Sequence, residues 1–160
     1  MVGSGSAGTG VRVSGEVGAP IDILLVEDDP GDVLLTRETF AEHKVRNRLT
    51  VCSDGRDALA YLRRQGRYRD AGVPDLILLD LNLPGLDGRD LLVELAGDPL
   101  LRDVPVVVLT NSLAERDILR AWQLRVTDYV RKPVDFARLV EVVQRVESLA
   151  LVVVRVDAPA

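Results

Sequence analysis

One cysteine, one histidine and one tryptophan occur in 160 residues, and aromatic residues make up only 4% of the chain. A lone cysteine excludes an internal disulfide framework. Cys52 stands in the apolar run Leu49-Thr50-Val51-Cys52, where a buried, inert thiol is expected, and that usage fits a reducing cytoplasm. With His43 as the single histidine, a histidine metal cluster and a histidine phosphotransfer module are both excluded, and His43 is expected on a helix surface. Basic residues are also short: 20 Lys and Arg stand against 25 Asp and Glu, giving a net charge of -5. That sign opposes attachment to nucleic acid phosphates. No run of about 18 apolar residues is present to cross a membrane, and the N-terminus lacks the basic-then-apolar order of a secretory signal. A soluble, unexported protein is expected.

What the chain does have is 47% hydrophobic content, enough at this length for one core and one domain. Residues 1–20 are Gly, Ser and Ala with scattered Val, too poor in packing groups to offset their ordering entropy, and read as a flexible leader. Residues 3–8, GSGSAG, match the dinucleotide-binding glycine fingerprint letter for letter. No strand precedes them and no helical pattern follows, so the geometry that makes those glycines bind phosphate is missing.

From residue 21 onward apolar strands alternate with helical periodicity. IDILLV gives a first strand, and Glu27, Asp28 and Asp29 follow it. Pro30-Gly31-Asp32 opens a helix to about residue 43, with Pro suited to the first turn, Asp to the positive dipole end, and Val33, the Arg37 stem and Phe40 at helical spacing. Residues 48–52 form a second strand, and Ser53-Asp54-Gly55 a turn that caps a helix to about residue 65. After a polar loop over 66–73 come a third strand, a helix marked by Leu91, Leu92 and Leu95 that stops near Gly97, and a fourth strand, 106–109, ending in Thr110. A helix over 113–124, a short strand over 128–131 running into Lys132-Pro133, and a last helix capped by Asp135 complete the pattern. Five strands alternating with five helices predict a parallel sheet covered on both faces.

The chain centres on residues 74–88, PDLILLDLNLPGLDG. Leu76-Ile77-Leu78-Leu79 has no polar alternation, as expected of a strand buried on both faces, and it ends in a lone carboxylate, Asp80, just before the Pro84-Gly85 turn. Open α/β sheets bind ligands outside the carboxyl ends of their strands. Glu27, Asp28, Asp80, Thr110 and Lys132 all fall at that edge. Carboxylates so crowded must share either a proton or a cation, and an oxygen-only set suits Mg²⁺. Lys132 adds a compact positive charge and Thr110 a hydroxyl donor, a combination suited to a phosphoryl group in transfer, for which a carboxylate is a competent acceptor. The plainer alternatives make Asp80 a turn cap, Lys132 its salt-bridge partner and Thr110 a strand-end hydrogen bond.

These residues resemble the receiver domains of two-component response regulators, over residues 21–149. The resemblance rests on Glu27-Asp28 after ILLV, on LLDLNLPGLDG around Asp80, on LTNS around Thr110 and on YVRKP at Tyr129 to Pro133. It implies a flavodoxin-like (βα)5 doubly wound α/β sandwich with five parallel strands in the order 2-1-3-4-5. It further implies that Asp80 accepts phosphate from a sensor histidine kinase, with Mg²⁺ held by Asp28, Asp80 and the backbone carbonyl of Asn82, and with Glu27 acting through water. Lys132 would pair with the phosphoryl group, Thr110 would move toward it, Tyr129 would rotate inward, and a cis peptide bond would precede Pro133. Asn111, after the threonine, is larger than the Ala, Ser or Gly usual there. The segments AYLRRQGRYRDAGVPDLILLDLNLP and AGDPLLRDVPVVVLTNS are similar to the small regulators paired with bacterial and cyanobacterial phytochromes, so a bacteriophytochrome is the expected kinase.

Few residues follow the last helix, so the chain is expected to be a stand-alone, cytoplasmic phosphoacceptor, not an enzyme, which signals by a changed contact surface. A phosphatase of the haloacid dehalogenase kind would need its nucleophile on the first strand and a second Asp where Asn82 stands. An unphosphorylated pseudo-receiver acting as a docking module is the remaining alternative. In the last helix Phe136, Leu139, Val143 and Val146 are expected to face the sheet while Val142 and Leu149 lie on another side. Together with the β-branched stretch 151–156 in the tail, residues 150–160, and with Trp122, this apolar excess predicts a two-fold homodimer with the tail as its arm, joined to the surface of the fourth helix, fifth strand and fifth helix that the resemblance implies.

Overall fold

The computed structural model describes residues 21–42, 47–83, 85–110, 113–121, 123–124, 126–131, 135, 137–138 and 141–142. The leader with its glycine decoy, His43, Trp122, Lys132, Pro133 and the tail lie outside them. Ten elements follow in order: β1 (Ile21–Val26), α1 (Pro30–Glu42), β2 (Asn47–Cys52), α2 (Gly55–Leu62), a 3-10 turn (Gly66–Tyr68), β3 (Leu76–Asp80), α3 (Gly88–Ala96), β4 (Val106–Thr110), α4 (Leu113–Ala121) and β5 (Asp128–Arg131). Beyond them Ala137, Arg138, Glu141 and Val142 are helical, and Asp135 caps their start, its Oδ1 accepting from the backbone N–H groups of Ala137 at 3.0 Å and Arg138 at 3.2 Å.

The strands form one parallel sheet in the order β2-β1-β3-β4-β5, the flavodoxin-like order. Every residue of β3 and of β4 is buried, as their unbroken apolar runs require of central strands with helices over both faces. The pleat sorts the core into two layers. Ile23, Leu25, Leu76, Leu78, Val107 and Leu109 pack with Phe40 of α1 on one face. Leu24, Val26, Ile77, Leu79, Val106 and Val108 pack on the other with Ala58 and Leu62 of α2, Leu91, Leu92 and Leu95 of α3, and Leu119 of α4.

Several details depart from the sequence reading. The second helix ends three residues short of 65 because Arg64 takes a left-handed backbone (φ 56°), and the fourth ends at Ala121, with Gln123 likewise left-handed (φ 58°). On α1 the buried positions are Thr36, Thr39 and Phe40, with Val33 only partly buried and Arg37 exposed. Thr36 is tolerated inside because its Oγ1 donates to the Asp32 carbonyl at 2.8 Å. Val142, expected off the sheet-facing side, is instead 1% exposed in the α1-side layer. Val142 therefore belongs to the core, and the apolar excess loses one of its two residues.

Two glycines let the loops approach closely around the end of β3. A Cβ on Gly88 would stand 2.7 Å from the Leu81 Cα, and the Gly88 N–H donates to the Leu81 carbonyl at 3.2 Å, so α3 begins hard against the residue that follows Asp80. A Cβ on Gly55 would fall 1.8 Å from the Leu86 carbonyl oxygen, so α2 seats the β3–α3 loop from the other side. Gly55→Ala is expected to destabilise the fold by about 1–3 kcal/mol through overpacking against backbone. Urea unfolding measures it, and an unchanged midpoint would show that the loop yields freely.

Candidate functional site

Register brings the acidic groups level. Val26 pairs with Leu79, so the next residue, Glu27, stands beside Asp80, and Asp80 pairs in turn with Leu109 of β4. One carboxylate oxygen from each of Glu27, Asp28 and Asp80 lies within 4.8 Å of the other two. Glu27 and Asp80 are 1% and 2% exposed, whereas Asp28 faces solvent. Asp80 Oδ1 accepts the backbone N–H of Asn82 at 2.9 Å, which folds the first residues after β3 over the carboxylate and brings the Asn82 backbone to the site. Asp29 stands apart in role. Its Oδ1 accepts from the Gly31 N–H at 2.9 Å and its carbonyl from the Val33 N–H at 3.1 Å, so it caps α1.

Two buried acids and an exposed one, all oxygen donors, fit a hard divalent cation that keeps several waters on its open side. Next to them runs a cleft of about 300 Å³ between β1, β2 and α1, lined by Glu27, Asp28, Pro30, Val33, Leu34, Arg37, Val51 and Ser53. Arg37 and Ser53 were not picked out as site residues from the sequence; helical spacing puts Arg37 one turn after Val33, and only the packing of α1 shows that this face looks onto the acids.

Thr110 ends β4 and is 1% exposed. Its hydroxyl donates to a carboxylate oxygen of Glu115 on α4, a partner that sequence reasoning missed. Glu115 lies in the first turns of a helix whose Leu119, one turn on, is fully buried, and that spacing is the signal that would have aimed it at the sheet. Tyr129 of β5 is partly buried, with the Arg120 guanidinium 5.9 Å from its ring centroid. Burial raises its hydroxyl above the ordinary tyrosine range, and Arg120 works against that rise. Lys132 follows β5 directly in sequence.

Cys52 is buried opposite Val26, and burial together with the charge of Asp57 pushes its thiol up to about 12, which removes it as a nucleophile at neutral pH. Tyr68, from the 3-10 turn, is likewise pushed up to about 12 by burial and by donating its hydroxyl to Asp57 Oδ2 at 2.8 Å. This network fastens the turn to α2 and holds no chemistry of its own.

The chain belongs to the response regulator receiver domain family, whose match covers residues 23–144. Response regulator Rcp1 of Synechocystis sp. (strain ATCC 27184 / PCC 6803 / Kazusa) is 40% identical over 146 residues, covering 91% of this chain and 99% of that protein. A crystal structure of the phosphorylated cyanobacterial phytochrome response regulator RcpA is 43% identical with a TM-score of 0.69, over 82% of this chain and 94% of that one. The Mn(2+)-bound form of Rcp1 is 42% identical with a TM-score of 0.69, over 82% and 95%.

Three like charges within 4.8 Å disfavour the metal-free fold. Asp80→Asn keeps an acceptor for the Asn82 N–H while removing one charge, so without metal it is expected to be more stable than the parent by about 1 kcal/mol. Added Mg²⁺ should raise the parent's melting temperature and leave the variant's nearly unchanged. Equal stabilisation of both by Mg²⁺ would place the cation elsewhere.

Proposed function

We propose that the chain is a phosphoacceptor response regulator in which Asp80 takes a phosphoryl group from the phosphohistidine of a sensor kinase. The observation that carries this reading is the convergence of Glu27, Asp28 and Asp80 at one sheet edge, with Thr110 ending the next strand. An Asp80 oxygen attacks phosphorus in line, the bond from phosphorus to the donor imidazole nitrogen breaks, and the imidazole leaves with the electron pair. Asp28, Asp80 and the Asn82 carbonyl would hold Mg²⁺, with Glu27 acting through water. The cation would offset the charge shared by the acids and the phosphoryl oxygens. Lys132 is assigned the phosphoryl oxygens, Thr110 and Tyr129 the conformational response, and Pro133 the cis turn after Lys132.

The family match and the phytochrome-linked RcpA favour a phytochrome-type histidine kinase as donor and a cytoplasmic exchange, with residues 21–149 as the receiver unit. Incubation with acetyl phosphate and Mg²⁺, followed by peptide mass mapping, should place one labile adduct on Asp80. Chelation of Mg²⁺ or the change Asp80→Asn should reduce labelling at least tenfold. Full labelling of that variant defeats the mechanism, and an inert parent favours the docking module instead.

Assembly as a two-fold homodimer through the β-branched tail is a further part of the reading, resting now on the sequence of 151–156 with Val142 withdrawn from its support. Light scattering over a dilution series should show a dimer that weakens at least tenfold when the chain is cut after Leu149. A monomeric parent would remove the arm.

A further inference from the structure

Thr110 and Tyr129, the two residues assigned the conformational response, both lean on α4. The Thr110 hydroxyl donates its one proton to the Glu115 carboxylate, and the Arg120 guanidinium stands over the Tyr129 ring. A threonine hydroxyl has a single hydrogen to give, so while it is committed to Glu115 it is withheld from an anion on Asp80. Hydrogen bonds to a carboxylate acceptor are as a class stronger than those between neutral groups. The pleat supports the arrangement, because Thr110 shares its side of the sheet with Val106 and Val108, which pack on the α4 layer. The fully buried Leu119, four residues after Glu115, turns the same helix face to the sheet. Glu115 is thereby aimed at the strand end.

We propose that Glu115 is a positioning residue that holds Thr110 turned toward α4, lowering the fraction of molecules ready to receive a phosphoryl group on Asp80. The proposal rests on the reading of Asp80 as the acceptor. A phosphoryl group there competes with Glu115 for the Thr110 proton, and the apparent affinity of the site falls by the fraction of chains in which the hydroxyl is free to turn. When the phosphoryl group wins, Glu115 gives up that donor, and the polar tie between Thr110 and α4 is cut at the helix that also carries Arg120, while Leu119 keeps its apolar contacts with β4. Uptake on Asp80 is in this way coupled to the seat of α4.

The test titrates beryllofluoride, a phosphoryl mimic, into the Mg²⁺-loaded full chain. Glu115→Ala is expected to bind it about tenfold more tightly than the parent, with Mg²⁺ affinity unchanged. Glu115→Gln, which keeps the shape and a weaker acceptor, should fall between. In a Thr110→Val background the Glu115→Ala gain should vanish. Binding by Glu115→Ala no tighter than the parent, or a gain that persists without the Thr110 hydroxyl, overturns the proposal. If the parent takes up no beryllofluoride, the acceptor reading fails, and the latch is then decided by NMR couplings of the Thr110 side chain in metal-free protein. One rotamer in the parent that becomes averaged in Glu115→Ala supports it, and an unchanged rotamer overturns it.

Discussion

Like-charge crowding is the constraint around which this molecule is arranged. Glu27, Asp28 and Asp80 each bring a carboxylate oxygen within 4.8 Å of the others, with two of the three residues buried, and the repulsion within that grouping opposes folding. It persists because the sheet beneath over-determines it and because backbone N–H groups, of Asn82 to Asp80 and of Asp29 to Glu27, meet two of the carboxylates. Val26 is locked beside Leu79 and Asp80 beside Leu109 by a ladder whose central strands are wholly covered. Strain of this kind, held by a rigid base and opening to solvent at Asp28, gives a site a standing affinity for positive charge.

The same base explains why the loops around the acids are tight. Gly88 lets α3 start against Leu81, and Gly55 lets α2 meet the Leu86 carbonyl, so the chain after Asp80 is clamped from two sides. The Asn82 N–H bond to Asp80 follows from that clamp. If Asp80 accepts a phosphoryl group as proposed, it gains from having one oxygen fixed by a backbone donor, because the other is then presented in one direction.

Much of this was legible in the chain itself, for identifiable reasons. Runs such as LILL and VVVL fit central parallel strands, and the carboxylate or hydroxyl that ends each one marks the ligand edge. The caps at Asp54 and Asp135 were equally readable, since Asp before a helical pattern has a local use for its oxygens. The misses depend on side chains meeting across the fold. Val142 falls off an arc drawn through Phe136, Leu139, Val143 and Val146, yet it packs in the α1-side core. The spacing through Val33, Arg37 and Phe40 left out Thr36 and Thr39, and both are buried on α1. Helix ends at Ala121 and Leu62 depend on left-handed turns at Gln123 and Arg64, residue types that carry no such signal.

Glu115 is the most instructive omission, because its helix spacing was visible and its partner was not. A glutamate in the first turn of a helix is sufficiently explained by the helix dipole, and from sequence that explanation ends the matter. In the fold the same residue accepts the hydroxyl proton of Thr110, one step along β4 from the residue paired with Asp80. A carboxylate that accepts from Thr110 cannot itself help hold the anion that the proposed function would put on Asp80. What it can do is compete for the donors the anion needs. On the proposed function, that would turn a negative charge near the Asp80 edge from a defect into a means of setting how readily the site responds, with the control on α4 and the proposed acceptor on the rigid sheet.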